Sequence, residues 1–253
     1  MTAPLFGRAG AGPSGVPLGT WLKLPAVESA EIIAHAGFDF AVIDLEHAPL
    51  NLETAYRLVS TCAALGVTPL VRVPDHTPST IQKILDAGAH GVLVPHVDTE
   101  DQARLVARAC RFPPRGERGA GGTSRAGRWG TLPGSEYVEQ GNRALCIPQL
   151  ESERAVRNVE AIVALEDVDA VFVGTADLSM SMGLTPTDPA VEELVAHAIE
   201  SARKAGKPCG LAFGAVPERA ADAVAAGCGF VMLSNDTSML ASAAIDLVRS
   251  CAR

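Results

Sequence analysis

Lysine is scarce in this chain. Only four occur in 253 residues, at Lys23, Lys83, Lys204 and Lys207. Lys83 falls in a helical stretch, and Lys204 and Lys207 flank the turn before an apolar run starting at Cys209, the wrong end of a strand for chemistry. Only Lys23 stands at a strand end, and Leu24 and Pro25 follow it at once. A Schiff-base amine needs burial at a strand end to depress its pKa, so covalent amine catalysis is disfavoured. The six cysteines (62, 110, 146, 209, 228 and 251) show no Cys-x-x-Cys spacing, and most lie inside strand-like or helix-like segments. They read as reduced, buried, small hydrophobic residues. No apolar stretch reaches the roughly 18 residues of a membrane span, and no signal-peptide pattern opens the chain. A soluble cytoplasmic protein is expected. Positive charge is also in deficit. A net charge of -8 argues against a nucleic-acid partner bound by phosphate neutralisation, and ordinary solubility accounts for it.

Hydrophobic residues make up 47%, enough for a sizeable core. The length is close to the roughly 250 residues of a (β/α)8 barrel. Strand-like runs at 17–24, 38–45, 67–73, 91–97, 145–150, 170–174, 209–213 and 230–234 alternate with helix-like segments. Those segments run over 26–35, 51–65, 78–87, 99–111, 152–164, 188–205, 217–226 and 237–251. Strands that are near-continuous apolar runs suit a parallel sheet buried on both faces. Asn51, Thr99 and Asp236 are candidate helix N-caps, and Gly37, Gly66, Gly88, Gly206 and Gly227 candidate helix ends. The pattern predicts the α/β class, as a closed (β/α)8 TIM barrel forming a single domain over 1–253. A doubly wound open sheet would need a Gly-rich phosphate fingerprint after its first strand, and none is there. Residues 1–15, rich in Gly, Ala and Pro, read as a loosely ordered lead-in. Residues 111–143 form a long Gly- and Arg-rich segment expected to arch near the strand C-terminal rim. That segment serves either to bind anionic groups or to tie loops or subunits together.

Acidic residues end several of these runs. Glu151 follows the run Leu145 to Pro148, and Asp177 follows Val171 to Val173. Twenty-six positions separate them, enough for one helix and the return strand. They are therefore expected on neighbouring strands at one end of the sheet, where barrel enzymes keep their chemistry. Oxygen ligands suit a hard cation such as Mg2+, Mn2+ or Co2+. Bland alternatives are a first-turn helix carboxylate for Glu151 and an N-cap for Asp177. Asp44-Leu45-Glu46-His47 ends another run. The three-residue spacing lets Asp44 orient the His47 ring, as a general acid/base requires. Arg72 ends a fourth run, placed to stabilise a developing oxyanion or to bridge two loops. His96 ends the run near Val94, where it either faces the site or takes a structural place at the rim.

At these residues the chain resembles the HpcH/HpaI family of class II 2-oxo-acid aldolases. The similarity runs from about Gly19 to Leu240. It includes Gly19-Thr20-Trp21, Asp44-Leu45-Glu46-His47-Ala48-Pro49, Val71-Arg72, Leu93-Val94-Pro95, Arg125-Ala126-Gly127-Arg128-Trp129, Gln149-Leu150-Glu151 and Asp177-Leu178-Ser179. The resemblance implies reversible aldol cleavage of a 4-hydroxy-2-oxo acid to pyruvate, or a close 2-oxo acid, and an aldehyde, through a metal-stabilised enolate. It implies that Glu151 and Asp177 hold the metal and that Gln149 and Trp21 line the pyruvate pocket. It further implies that backbone amides around Gly174, Thr175 and Ala176 hold the substrate carboxylate. Arg72 would stabilise the enolate, and the His47–Asp44 pair would handle protons. A hexamer, a trimer of dimers exchanging the last helix, is implied too. Two departures stand out: Thr175 replaces a proline, and His96 replaces an apolar residue, often Met. Related uses of the enolate remain open, in a CoA-ester lyase or an oxaloacetate decarboxylase, as does a non-catalytic metabolite-binding barrel. The C-terminal segment carries an apolar stripe of Met239, Leu240, Ala243, Ala244 and Leu247, fit for local packing or for exchange with a second copy.

Overall fold

The computed structural model describes residues 5–6 and 9–251. Eight parallel strands close on themselves in the order of the chain: β1 (Leu18–Leu22), β2 (Phe40–Asp44), β3 (Thr68–Arg72), β4 (Gly91–Val94), β5 (Leu145–Leu150), β6 (Val171–Val173), β7 (Cys209–Phe213) and β8 (Phe230–Asn235). Strand periodicity sends alternate residues to opposite faces. On β2, Phe40 and Val42 point inward and pack with Leu70, Leu93, Ile147, Phe172, Phe230 and Met232 to fill the barrel. Ala41 and Ile43 point outward, into the larger core beneath the helices. Both faces are thus apolar, which is why these strands show no polar alternation.

The inward parity also aims the chemistry. Two steps beyond Val42 stands Asp44, two beyond Leu70 stands Arg72, and two and four beyond Ile147 stand Gln149 and Glu151. Asp44 pairs in register with Arg72. Leu150 pairs with Val173, so Glu151 follows at the level of Gly174.

The helices start and stop for local reasons. Asn51 caps α2 (Leu52–Ala64) by accepting the Thr54 amide. Thr99 and Gln102 form a reciprocal capping box on α4 (Glu100–Cys110). Gly37, with φ 93°, ends α1 (Val27–Ala36) in the left-handed region. The helix expected over 152–164 is two short ones, α6 (Glu153–Arg157) and α7 (Val159–Val163). They break at Asn158, whose side-chain amide donates to the Asp98 carbonyl at 2.8 Å. α8 (Thr175–Ser181) and α9 (Pro189–Lys204) follow β6, and α10 (Pro217–Ala225) follows β7.

Three expectations need correction. The segment 111–143 joins α4 to β5, so it lies at the strand N-terminal end, opposite the rim. It contains a helix of its own, α5 (Gly134–Gly141). It is held by buried arginines: Arg111 reaches Asp167 and Asp169 at 3.0 and 2.7 Å, and Arg118 reaches Asp86 at 2.7 Å. Its arginines therefore tie loops together, the second of the two readings. Asp236 does not cap the last helix, α11 (Asp236–Cys251); Asn235 accepts the Ser238 amide instead. Buried Asp236 accepts the Lys23 and Leu24 amides and the Ser29 hydroxyl, clamping β8 to the loop after β1. The lead-in is packed at Leu5 and Phe6, whereas Ala9, Ala11 and Ser14 are exposed. Leu5 is buried within the barrel floor, and the Phe6 ring lies 5.2 Å from that of Phe230. The same reading for 1–4 and 7–8 falls outside the described residues. No helix among the described residues is long and apolar enough to cross a membrane.

Candidate active site

A bidentate ion pair forms the floor of the site. Arg72 Nε and Nη2 donate to Asp44 Oδ1 and Oδ2 at 2.9 and 2.7 Å. Lys23 Nζ reaches Asp44 Oδ2 at 2.7 Å, so Lys23 serves as an ion-pair partner here. Burial alone would raise the Asp44 pKa; the Arg72 and Lys23 bonds and the His47 amide outweigh it and hold the carboxyl at about 2. The Arg72 guanidinium stacks 4.2 Å from the centre of the Trp21 ring, an arrangement that suits a planar, weakly hydrated cation.

Carboxylates converge beside that floor. Glu46 Oε2 lies 2.9 Å from Arg72 Nη1, but in a direction that makes no hydrogen bond, leaving this buried oxygen unsatisfied. Gln149 donates through Nε2 to Glu151 Oε1, while its own Oε1 is buried without a partner. Glu151, 5% exposed, has its pKa raised by desolvation; the His96 amide and ring oppose this, and the charges of Glu46 and Asp177 add to it. An open cleft of about 350 Å³ passes between Glu151, Asp177, Asp98, His96 and Met180. One ligand atom each from Glu46, His96 and Glu151 fall within 4.8 Å of one another. Buried Glu151, with Glu46 and Asp177 as like-charged neighbours, fits a divalent cation held chiefly by oxygen.

The bland readings of the two acids fail on position. Ser152, not Glu151, caps α6, accepting the Ala155 amide at 3.0 Å. Asp177 lies in the first turn of α8, whose cap position is Gly174. A Cβ on Gly174 would stand 2.9 Å from Glu151 Cγ and 3.1 Å from Gln149 Nε2, so only glycine leaves room for both side chains. Thr175 and Ala176 open α8 beside it, with first-turn amides that a helix leaves unpaired.

One predicted contact is absent. Asp44 does not orient the His47 ring: its carboxylate accepts the backbone amides of Glu46 and His47, each at 3.1 Å. The bidentate grip of Arg72 leaves no lone pair directed at the imidazole. The ring is 56% exposed and has Glu46 Oε2 as its acidic neighbour, 3.7 Å from Nε2. Sequence reasoning gave no role to Glu46 and an incidental one to His96, yet these two complete the cluster. The signal for Glu46 was parity: it stands two residues beyond inward-facing Asp44.

The HpcH/HpaI aldolase/citrate lyase family model matches residues 18–243. The chain belongs to that family. Both reactions in the family description are carbon–carbon cleavages, so the protein is an enzyme, a lyase. It is 40% identical over 235 residues to the 2-keto-3-deoxy-L-rhamnonate aldolase of Shigella sonnei, across 91% of this chain and 86% of that one. It is 41% identical over 228 residues to the 4-hydroxy-2-oxovalerate aldolase of Rhodococcus jostii, across 88% and 87%. The crystal structure of an HpcH/HpaI aldolase/citrate lyase family protein from Burkholderia cenocepacia superposes with a TM-score of 0.89 at 33% identity, covering 97% of each chain.

Proposed function

We propose that this lyase is a class II aldolase, dependent on a divalent cation, that cleaves and re-forms a 4-hydroxy-2-oxo acid. Pyruvate or a close 2-oxo acid is the nucleophilic half and an aldehyde the other. The observation that carries the reading is that Glu46 and Glu151 come within reach of one cation, with Asp177 lining the same cleft as Glu151 and the buried, Trp21-stacked guanidinium of Arg72 beside Glu46. Glu151 and Asp177 would hold Mg2+, Mn2+ or Co2+, with Glu46 alongside. Such an ion supplies Lewis-acid polarisation of a keto oxygen.

The chain's own side chains do the rest. Trp21 and Gln149 wall the pocket for the 2-oxo acid, and the α8 turn at Gly174, Thr175 and Ala176 offers amides to its carboxylate. Asp44, itself paired with Lys23, holds Arg72 in place, so its positive charge would already be set where the substrate oxygen becomes negative. His47, exposed beside Glu46, is placed to move the proton of the 4-hydroxyl group. Lys23, at the rim, is paired with Asp44, which fits an aldolase without a Schiff base.

Proton exchange tests this directly. Purified protein in D2O should replace the methyl protons of pyruvate when Mg2+, Mn2+ or Co2+ is present, followed by NMR. The exchange should stop in EDTA and in Glu151→Gln and Asp177→Asn. A panel of aldehydes then identifies the acceptor. Exchange that is indifferent to EDTA, or none with any of these cations, overturns the proposal.

The exposed α11 supports assembly as a hexamer in which this helix crosses to a neighbour. Apart from Met239, its apolar stripe is not packed on its own barrel: Leu240, Leu247 and Val248 are 62%, 67% and 70% exposed.

A further inference from the structure

His96 adopts φ 56°, a left-handed conformation that costs a non-glycine residue free energy and clusters at functional sites. The turn it makes after β4 has a definite result. The backbone amide of His96 donates to Glu151 Oε2 at 3.0 Å, and the ring folds over the same carboxylate. Its Nδ1 lies 3.0 Å from Glu151 Oε2 and its Nε2 lies 3.2 Å from Glu46 Oε1. Arg72 Nη1 lies 2.9 Å from the other oxygen of Glu46. An imidazole thus stands between two largely buried carboxylates, its atoms within 4.8 Å of theirs, at the edge of the cleft that Asp177 also lines.

We propose that His96 is a nitrogen ligand to the cation of this site, joining Glu151 and Asp177, with Glu46 alongside, in a mixed imidazole–carboxylate set that prefers Co2+, Ni2+ or Zn2+ to Mg2+. The inference rests on the metal-centre reading above and goes beyond it, because an imidazole ligand strengthens that preference beyond what carboxylates alone give. Mg2+ takes oxygen ligands and keeps its waters, whereas imidazole suits the later transition ions. The strained backbone has a use on this account: it turns the ring back onto Glu151 when an extended residue would carry it away.

The decisive measurement needs no variant. Full-length protein loaded with Mn2+, a paramagnetic probe, should give 14N modulation from a bound imidazole in electron spin-echo spectroscopy. The modulation should vanish in His96→Gln. By calorimetry on the apo-protein, His96→Gln should weaken Co2+ binding at least about 10-fold, the lower end for lost metal-site partners, and leave Mg2+ binding nearly as it was. Circular dichroism of the apo-variant checks that the barrel is intact. Absence of 14N modulation in the unaltered protein, or unchanged Co2+ affinity in His96→Gln, overturns the assignment. Glu151→Gln separates the two levels. If it still binds Mn2+ and Co2+ as the parent does, the metal centre itself is misplaced; if it loses them while His96→Gln does not, only the His96 assignment falls.

Discussion

Gly174 has no side chain to offer, yet it decides where two others can be. A methyl group there would meet Glu151 Cγ at 2.9 Å and Gln149 Nε2 at 3.1 Å, and both are buried with nowhere to retreat. Gly174→Ala should therefore lose about 1–3 kcal/mol of stability to overpacking and, in the folded protein, activity on the order of 100-fold, as misplacement of a reacting group by about 1 Å can cause. Parent-like kcat/KM would show that the Glu151 position is not critical. Asp44 teaches a different lesson about reading residues. Its place at the end of β2 was legible from the apolar run, and its partner was not. A spacing of three residues suggested His47, whereas in-register pairing with β3 supplied Arg72. A bidentate guanidinium is the stronger claimant for a buried carboxylate, so the long-range partner won.

The segment between α4 and β5 lies where its connections put it. Its length and its glycines suggested an arch near the rim. Connectivity excludes this, because a segment entering a strand N-terminus begins at the far end of the barrel from the rim. Arg111 organises it, donating to Asp167 Oδ1, Asp169 Oδ2 and the Ala144 carbonyl while 1% exposed. Arg111→Ala should cost roughly 3 kcal/mol, the low end for breaking a buried ion pair, because both aspartates keep some solvent. Urea denaturation measures that loss, while KM for the 2-oxo acid should not move. A change in KM without loss of stability would place this segment near the substrate after all. The break at Asn158 was illegible for a related reason. Helix periodicity continues through it, and only the carbonyl of Asp98, from another loop, pulls the side chain aside.

Eight strands in sequence order make a molecule whose chemistry is gathered at one end and whose last helix is left over. α11 buries only Asp236 completely, and its exposed leucines and valine are poor company for water. Seated in a second copy, the same stripe would be covered. The 26.2 kDa chain should therefore run as a hexamer at micromolar concentration in light scattering. Removing residues 237–253 should give smaller species and weaken activity. A fully active monomeric truncation would reduce α11 to an ornament of the C-terminus, and a monomeric parent would remove the proposal altogether.

Local chemistry accounts for what could be read directly from the chain. Apolar runs of strand length, Asn51 and Thr99 caps and Gly37 at a helix end are each set by neighbours within a few positions, so their order alone announces an eightfold barrel. The acids at strand ends were equally legible, because parallel strands bring all their C-termini to one rim. Partnership was not legible in the same way. That Arg72 takes both oxygens of Asp44, that Lys23 joins them, and that His96 turns back between Glu46 and Glu151 depends on register between strands far apart in sequence. Closure of the barrel fixes that register, and with it which charges must satisfy one another out of reach of water.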